Sequence, residues 1–213
     1  MSNNRFTQPH AGGRSLPVSL FLSAAALLLF AVPGAAGLFQ MKVPAVAQGE
    51  LWRLITCHWT HWGVDHLTWD LSVFAGLGLV CEKLDRPSFH RALWLAALSI
   101  SLGVSVMVPG MTVYRGLSGI DAALFALLAC HLIRRGGNRG RFLGVAGLLG
   151  FIAKIVFEWA TGGMLFVNQN ALFTSVPEAH LIGAISGIVA GFPSSIFSGL
   201  SPKDAVFSNR GFC

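Results

Sequence analysis

The sequence predicts an all-α protein that crosses a lipid bilayer several times, and three observations carry that expectation. Hydrophobic residues make up 54% of the 213 residues and charged residues only 11%, about half the charged share of a soluble domain; the mean hydropathy is +0.64. The apolar residues also gather into stretches that approach the roughly 20 residues a helix needs to span a bilayer. Finally, the basic residues fall between those stretches, so that with the N-terminus inside, 11 of the 15 Lys and Arg lie on one side, as the positive-inside rule requires.

Taken in order, residues 1–15 form a polar tail with Arg5 and Arg14, placed in the cytoplasm. The apolar run 16–39 is read as the first span. Its Pro33-Gly34-Ala35-Ala36 end resembles a signal-peptidase site behind a basic segment. The run is long for a bare signal core, however, and removing it would invert the loop charges. Residues 40–65 make an external loop crowded with Trp52, Trp59 and Trp62, side chains that prefer the headgroup level. Further spans are expected at 66–84, 92–108, 118–133, 142–159 and 179–196, with a cytoplasmic tail at 199–213. The result is a single membrane domain, 16–198, of six helices with both termini cytoplasmic. The net charge of +6 is then an orientation signal, and no nucleic-acid partner is expected. The four cysteines show no metal or disulfide spacing, and no cofactor is expected.

Ionisable side chains inside spans are costly and ordinarily line a site or cavity. Here they are His66, Asp70, Asp121, Lys154, Glu158 and His180. At a rise of about 1.5 Å per residue, Ser118 lies about 24 Å above Arg134 and His66 about 26 Å above Lys83. His180 lies about 34 Å above Lys203 if helix continued throughout, an overestimate given Pro193 and Pro202. In a core about 30 Å thick these three share a depth near the outer edge. Below Ser118 stand Ala122, Ala126 and Cys130; below His180 stand Gly183, Gly187 and Gly191. Small faces of this kind let membrane helices approach closely, which would place a base within reach of a hydroxyl. A serine opening a helix is ordinarily a cap, and a lone histidine in a span is ordinarily structural or part of a proton relay. Shared depth and paired stripes favour a site over two coincidences.

These residues resemble the signatures of the rhomboid family. Gly116-Leu117-Ser118-Gly119 is similar to its GxSG motif at the head of the fourth core helix, and Ala179-His180-Leu181-Ile182-Gly183 to the AHxxG signature of the sixth. Trp52-Arg53 resembles the WR pair of the first external loop. His66-Leu67-Thr68-Trp69-Asp70 falls where the family has HxxxN, with His61 five residues earlier, and Glu82 closes the second helix at the family's usual distance. The resemblance covers roughly residues 49–192. It implies a serine endopeptidase acting inside the inner membrane of a bacterium, with its site near the periplasmic face. Ser118 would be the nucleophile and His180 the general base. His66, Asp70 and Gly116 would support the oxyanion side, and His61 and Asp121 are possible accessories. No third acid is required, since burial and packing can hold the imidazole.

Asp70 departs from the family's asparagine. An amide can donate to an oxyanion and an ionised carboxylate cannot. Either Asp70 is protonated, which burial favours, or it orients His66 and leaves the oxyanion to other donors. The His-x-x-Trp-Asp variant and the small size resemble the rhombosortase branch, which implies exported substrates with C-terminal Gly-Gly-type sorting segments or single membrane spans. Asp121 is read as a structural hydrogen-bonding residue, with steadying of His180 or a water as the sharper alternative. Lys154 and Glu158, four apart, are expected to pair with each other. Two other classes compete: a metal site among His58, His61, His66, Asp65 and Asp70, and an inactive rhomboid-like protein that binds clients. No HExxH is present, and inactive relatives have typically lost the serine or the histidine, both of which this chain keeps.

Overall fold

The structure, a computed structural model, describes residues 16–162 and 176–192. The two expected tails and residues 193–196 of the last expected span lie outside the described residues. The elements follow in chain order: α1 (Val18–Ala31), α2 (Ala35–Phe39), β1 (Met41–Lys42), α3 (Val43–Ala47), α4 (Arg53–Thr56) with a 3₁₀ turn Cys57–Trp59, α5 (Val64–Leu84), α6 (Arg86–Met107), β2 (Val113–Tyr114), α7 (Ser118–Arg135), α8 (Gly137–Thr161) and α9 (Pro177–Gly191). Among the described residues two helices, α6 and α8, are long and apolar enough by length and composition to cross a membrane.

The helix ends have local causes. Asp85 caps α6, its carboxylate accepting the Ser88 N–H at 3.1 Å, with Pro87 in the first turn, where its missing N–H costs nothing. α8 stops at Gly162, whose φ of 63° makes a left-handed C-cap while its N–H bonds the Glu158 carbonyl at 2.9 Å. The run 16–39 is not one helix. It breaks after Ala31, where Pro33 lacks an N–H and Gly34 turns the chain at φ 82° before α2 begins.

Burial in α1 runs opposite to that of a soluble helix. Ser19, Ser23 and Ala26 face inward, while Phe21, Leu27 and Leu28 point out. Small and polar residues at the interface with large apolar residues outside is the arrangement expected when the surroundings are lipid. Glu82 of α5 completes the contact. Its carboxylate accepts the Val18 and Ser19 N–H groups at 3.0 and 3.1 Å and the Ser19 hydroxyl at 3.0 Å. A carboxylate from a neighbouring helix thereby satisfies the N-terminal donors of α1 and faces the positive end of its dipole.

At the centre, α7 packs on α9, α6, α5 and α8, with α9 its most extensive partner. A Cβ on Gly183 would land on the Gly119 carbonyl oxygen, and one on Gly187 on the Ala123 carbonyl oxygen; Gly191 lies against Leu127 and Cys130. The glycine stripe on α9 therefore receives α7 backbone directly. On α7 the facing residues are Gly119, Ala122, Ala123, Leu127 and Cys130; Ala123, not Ala126, meets Gly187. Four-residue spacing drifts around a helix of 3.6 residues per turn, which is why the contact line steps from one row to the next.

The external loop is anchored to the segment ahead of α7. β1 pairs antiparallel with β2, with Met41 opposite Tyr114 and Lys42 opposite Val113. Arg53 is buried, with Nη1 bonded to the Gly37 and Gln40 carbonyls at 3.1 and 2.8 Å and Nε to Glu50 at 2.6 Å. One guanidinium thus ties three points of the loop together.

Candidate functional site

Ser118 is the first residue of α7 and is reached through a turn, Arg115-Gly116-Leu117, that is held from several sides. Gly116 has φ 118°, a conformation that side chains rarely adopt. A Cβ there would also meet His66 Nε2 at 2.7 Å and Asp70 Oδ2 at 3.1 Å. The turn therefore rests on two α5 side chains. Asp70 Oδ2 accepts the Leu117 N–H at 2.9 Å and lies 3.1 Å from His66 Nε2. It is 3.4 Å from His61 Nε2, without hydrogen-bond geometry. The two imidazoles meet edge to face, with centroids 5.1 Å apart.

On the other side, the Gly116 N–H donates to the Cys57 carbonyl at 3.2 Å. His58 bridges the turn to α6: Nδ1 lies 3.3 Å from the Gly116 carbonyl, Nε2 2.9 Å from the Ala97 carbonyl and 3.1 Å from Ser101 Oγ. Its ring is fully buried, and that desolvation lowers its pKa from 6.5 to about 4, so it stays neutral near pH 7. Arg115 adds a third tie, with Nε on Gln40 Oε1 at 2.6 Å, Nη1 on the His61 carbonyl at 3.3 Å and its guanidinium 4.2 Å from the Trp62 ring centroid.

His180 lies in the first turns of α9. The residue before it, Ala179, puts its carbonyl oxygen 3.1 Å from where a Gly119 Cβ would stand. Ser118 and His180 are thus next neighbours of a backbone contact between α7 and α9. Both are half-buried. The Ser118 hydroxyl donates no hydrogen bond to another described residue, and the hydrogen bonds of such a pair often close only around substrate. His180 Nδ1 faces α8, 3.2 Å from Glu158 Oε2. Lys154 Nζ donates to Glu158 Oε1 at 2.7 Å and stands 3.4 Å from His180 Nδ1. The expected Lys154–Glu158 pair is present, but its carboxylate also reaches the histidine, which pairing within α8 alone did not anticipate.

The candidate residues therefore fall into two groups. Ser118 and His180 flank the α7–α9 seam. His61, His66, Asp70 and Gly116 form the support beneath the turn, joined by His58 and Arg115. Asp121 is buried in α7, interacts electrostatically with Asp70, and leaves Oδ1 without a hydrogen-bond partner among the described residues. No group of three or more His, Cys, Asp or Glu side chains with metal-holding geometry occurs among the described residues.

A helical membrane protein with a hydroxyl and an imidazole at one end of a glycine-packed helix pair is the class that fold and site define. Comparison with known proteins gives the family. The Rhomboid domain model matches residues 48–196, most of the chain, and the chain belongs to the rhomboid family, a family of integral membrane proteins. Among curated proteins it is similar to the Rhomboid protease GluP of Bacillus subtilis (strain 168), 27% identical over 166 residues. Those residues are 78% of this chain and 29% of the relative, so the chain spans under a third of that protein's length.

Proposed function

We propose that this chain is an intramembrane serine endopeptidase built on six membrane-spanning helices, with Ser118 as nucleophile and His180 as general base. The observation that carries this reading is the seam itself. The Ala179 carbonyl lies against Gly119, so the neighbouring Ser118 and His180 stand at the same end of the seam, and His180 Nδ1 lies toward Glu158 of α8; on this reading Nε2 serves the hydroxyl.

In the reaction, His180 Nε2 takes the Ser118 hydroxyl proton as Oγ bonds to the scissile carbonyl carbon. The proton then passes to the leaving nitrogen as the carbon–nitrogen bond breaks, and water releases the acyl group from Ser118 by the reverse transfer. The oxyanion is met by the N–H groups that open α7. The first N–H groups of a helix have no intrahelical partner, and Ser118 holds the first position. Asp70 is already engaged by the Leu117 N–H and His66, so its role is to hold the turn and to orient His66.

The substrate is a single-span or C-terminally anchored exported protein, and the His-x-x-Trp-Asp variant points to the Gly-Gly-type segments of a rhombosortase. The enzyme resides in the inner membrane, with both termini cytoplasmic and the site toward the periplasm. Co-reconstitution with such a substrate tests the reading: wild type cleaves it, and Ser118→Ala does not. Equal processing by the two would refute Ser118 as the nucleophile, and processing by neither would leave a client-binding protein in place of a protease.

A further inference from the structure

The α8 pair does more than neutralise itself. Glu158 is almost fully buried, its side chain 2% exposed, and its two oxygens serve different partners. Oε1 takes the Lys154 ammonium at 2.7 Å, and Oε2 stands 3.2 Å from His180 Nδ1. Elsewhere α8 touches α9 sparsely. On the α7 side, the Gly183 position in the first turns of α9 lies against Gly119 and Ala122, neither of which carries a hydrogen-bonding side chain. Burying a lysine and a glutamate in a lipid-facing helix is costly, and a self-contained pair would leave Oε2 unused.

We propose that Glu158 is a positioning residue that holds His180 with its proton on Nδ1, while Lys154 fixes the carboxylate so that Oε2 faces the ring. This rests on the Ser118–His180 reading and adds a third member to it. The Nδ1–H donates to Oε2, which leaves the Nε2 lone pair for the Ser118 hydroxyl. As the proton moves to Nε2, the imidazolium is held by a carboxylate, as in serine proteases of other folds. The Lys154 ammonium has only donors, and it already satisfies Oε1 over the shorter distance. A lysine donating to Nδ1 would instead put the ring proton on Nε2, where it blocks the base.

Lys154 also dictates what an amide would do. In Glu158→Gln the amide oxygen must accept from Lys154, so the NH₂ faces Nδ1, the imidazole takes the Nε2–H tautomer, and the base is lost. The expected result is a kcat at least about 100-fold lower with KM unchanged, by analogy with the template in which an aspartate-to-asparagine change forces the wrong tautomer. Nitrogen-15 NMR of histidine-labelled protein in micelles reads this directly, with the His180 proton on Nδ1 in wild type and on Nε2 in the variant. Lys154→Met with Glu158→Met removes both charges. If the pair were only structural, this double variant would recover wild-type kcat; under positioning it folds and stays at least tenfold slow. A Glu158→Gln kcat within threefold of wild type, an unchanged tautomer, or full recovery in the double variant overturns the proposal. Should Glu158→Gln not fold, the double variant decides. Failure of the underlying reading is distinct: Ser118→Ala would then cleave as wild type does.

Discussion

Replacing Gly183 with alanine tests the packing that brings the site together. The added methyl would fall on the Gly119 carbonyl oxygen, a backbone atom that no rotamer change can move. Relief requires α7 and α9 to separate, which loosens the small-residue contacts along the whole seam. Overpacking of this kind costs about 1–3 kcal/mol, and more where backbone is the obstacle, so about 3 kcal/mol is expected. For a chain of this size that is roughly 6–12 °C in Tm. Gly187→Ala meets the Ala123 carbonyl in the same way. Because the first substitution already parts the helices, the double variant should cost less than the sum of the singles. Gly76 and Gly150 supply the contrast: each lies in a helix with nothing within 4 Å of an added Cβ. Alanine there should be neutral or stabilising by up to about 1 kcal/mol. Thermal unfolding of the purified variants in one detergent measures all five. If Gly183→Ala is as stable as wild type, or Gly150→Ala loses as much, the helices do not meet backbone to backbone.

Other consequences follow from the same contacts. Gly116→Ala forces an L-residue to φ 118° and drives a methyl into His66, so Ser118 should lose at least tenfold in its rate of labelling by a fluorophosphonate; unchanged labelling would show that the turn is not held as described. Glu82→Ala removes three hydrogen bonds from the start of α1, a loss of about 1.5–3 kcal/mol for bonds to a charged group, with faster amide exchange at Val18 and Ser19; protection equal to wild type would contradict the cap. His58 carries a pH dependence. Its folded pKa of about 4 lies below the ordinary 6.5, so the unfolded chain binds a proton that the folded chain refuses. Stability is full above pH 6.5 and falls by about 3 kcal/mol as pH drops to 4. His58→Asn should lack that part of the slope, and identical slopes in the two proteins would refute the assignment.

Much of this was legible because lipid and packing leave marks on composition. The helical class and the glycine stripe of α9 follow from apolar runs and a four-residue repeat of small residues. What the repeat did not give was the partner line on α7, because side-chain spacing on one helix does not say which row a neighbour's backbone will use. The break after Ala31 was written in Pro33-Gly34 but is outweighed by hydropathy when runs are counted. Glu158 lies 17 residues after Arg141, about 26 Å along a helix, the same depth as Ser118 and His66. Applied to the fifth helix, that arithmetic would have placed the carboxylate beside the site. Asp70 needed coordinates, since nothing local in the sequence shows that its acceptor would meet the Leu117 N–H, 47 residues away.

The central claim is that Ser118 is a nucleophile made reactive by His180. It is tested most directly by peptide mapping of protein treated with a fluorophosphonate in micelles, comparing wild type with His180→Ala. A single stoichiometric adduct on Ser118 is expected in wild type and none in the variant at the same exposure. Labelling of Ser118 at equal rates in both proteins, or labelling of wild type at another residue, would contradict it.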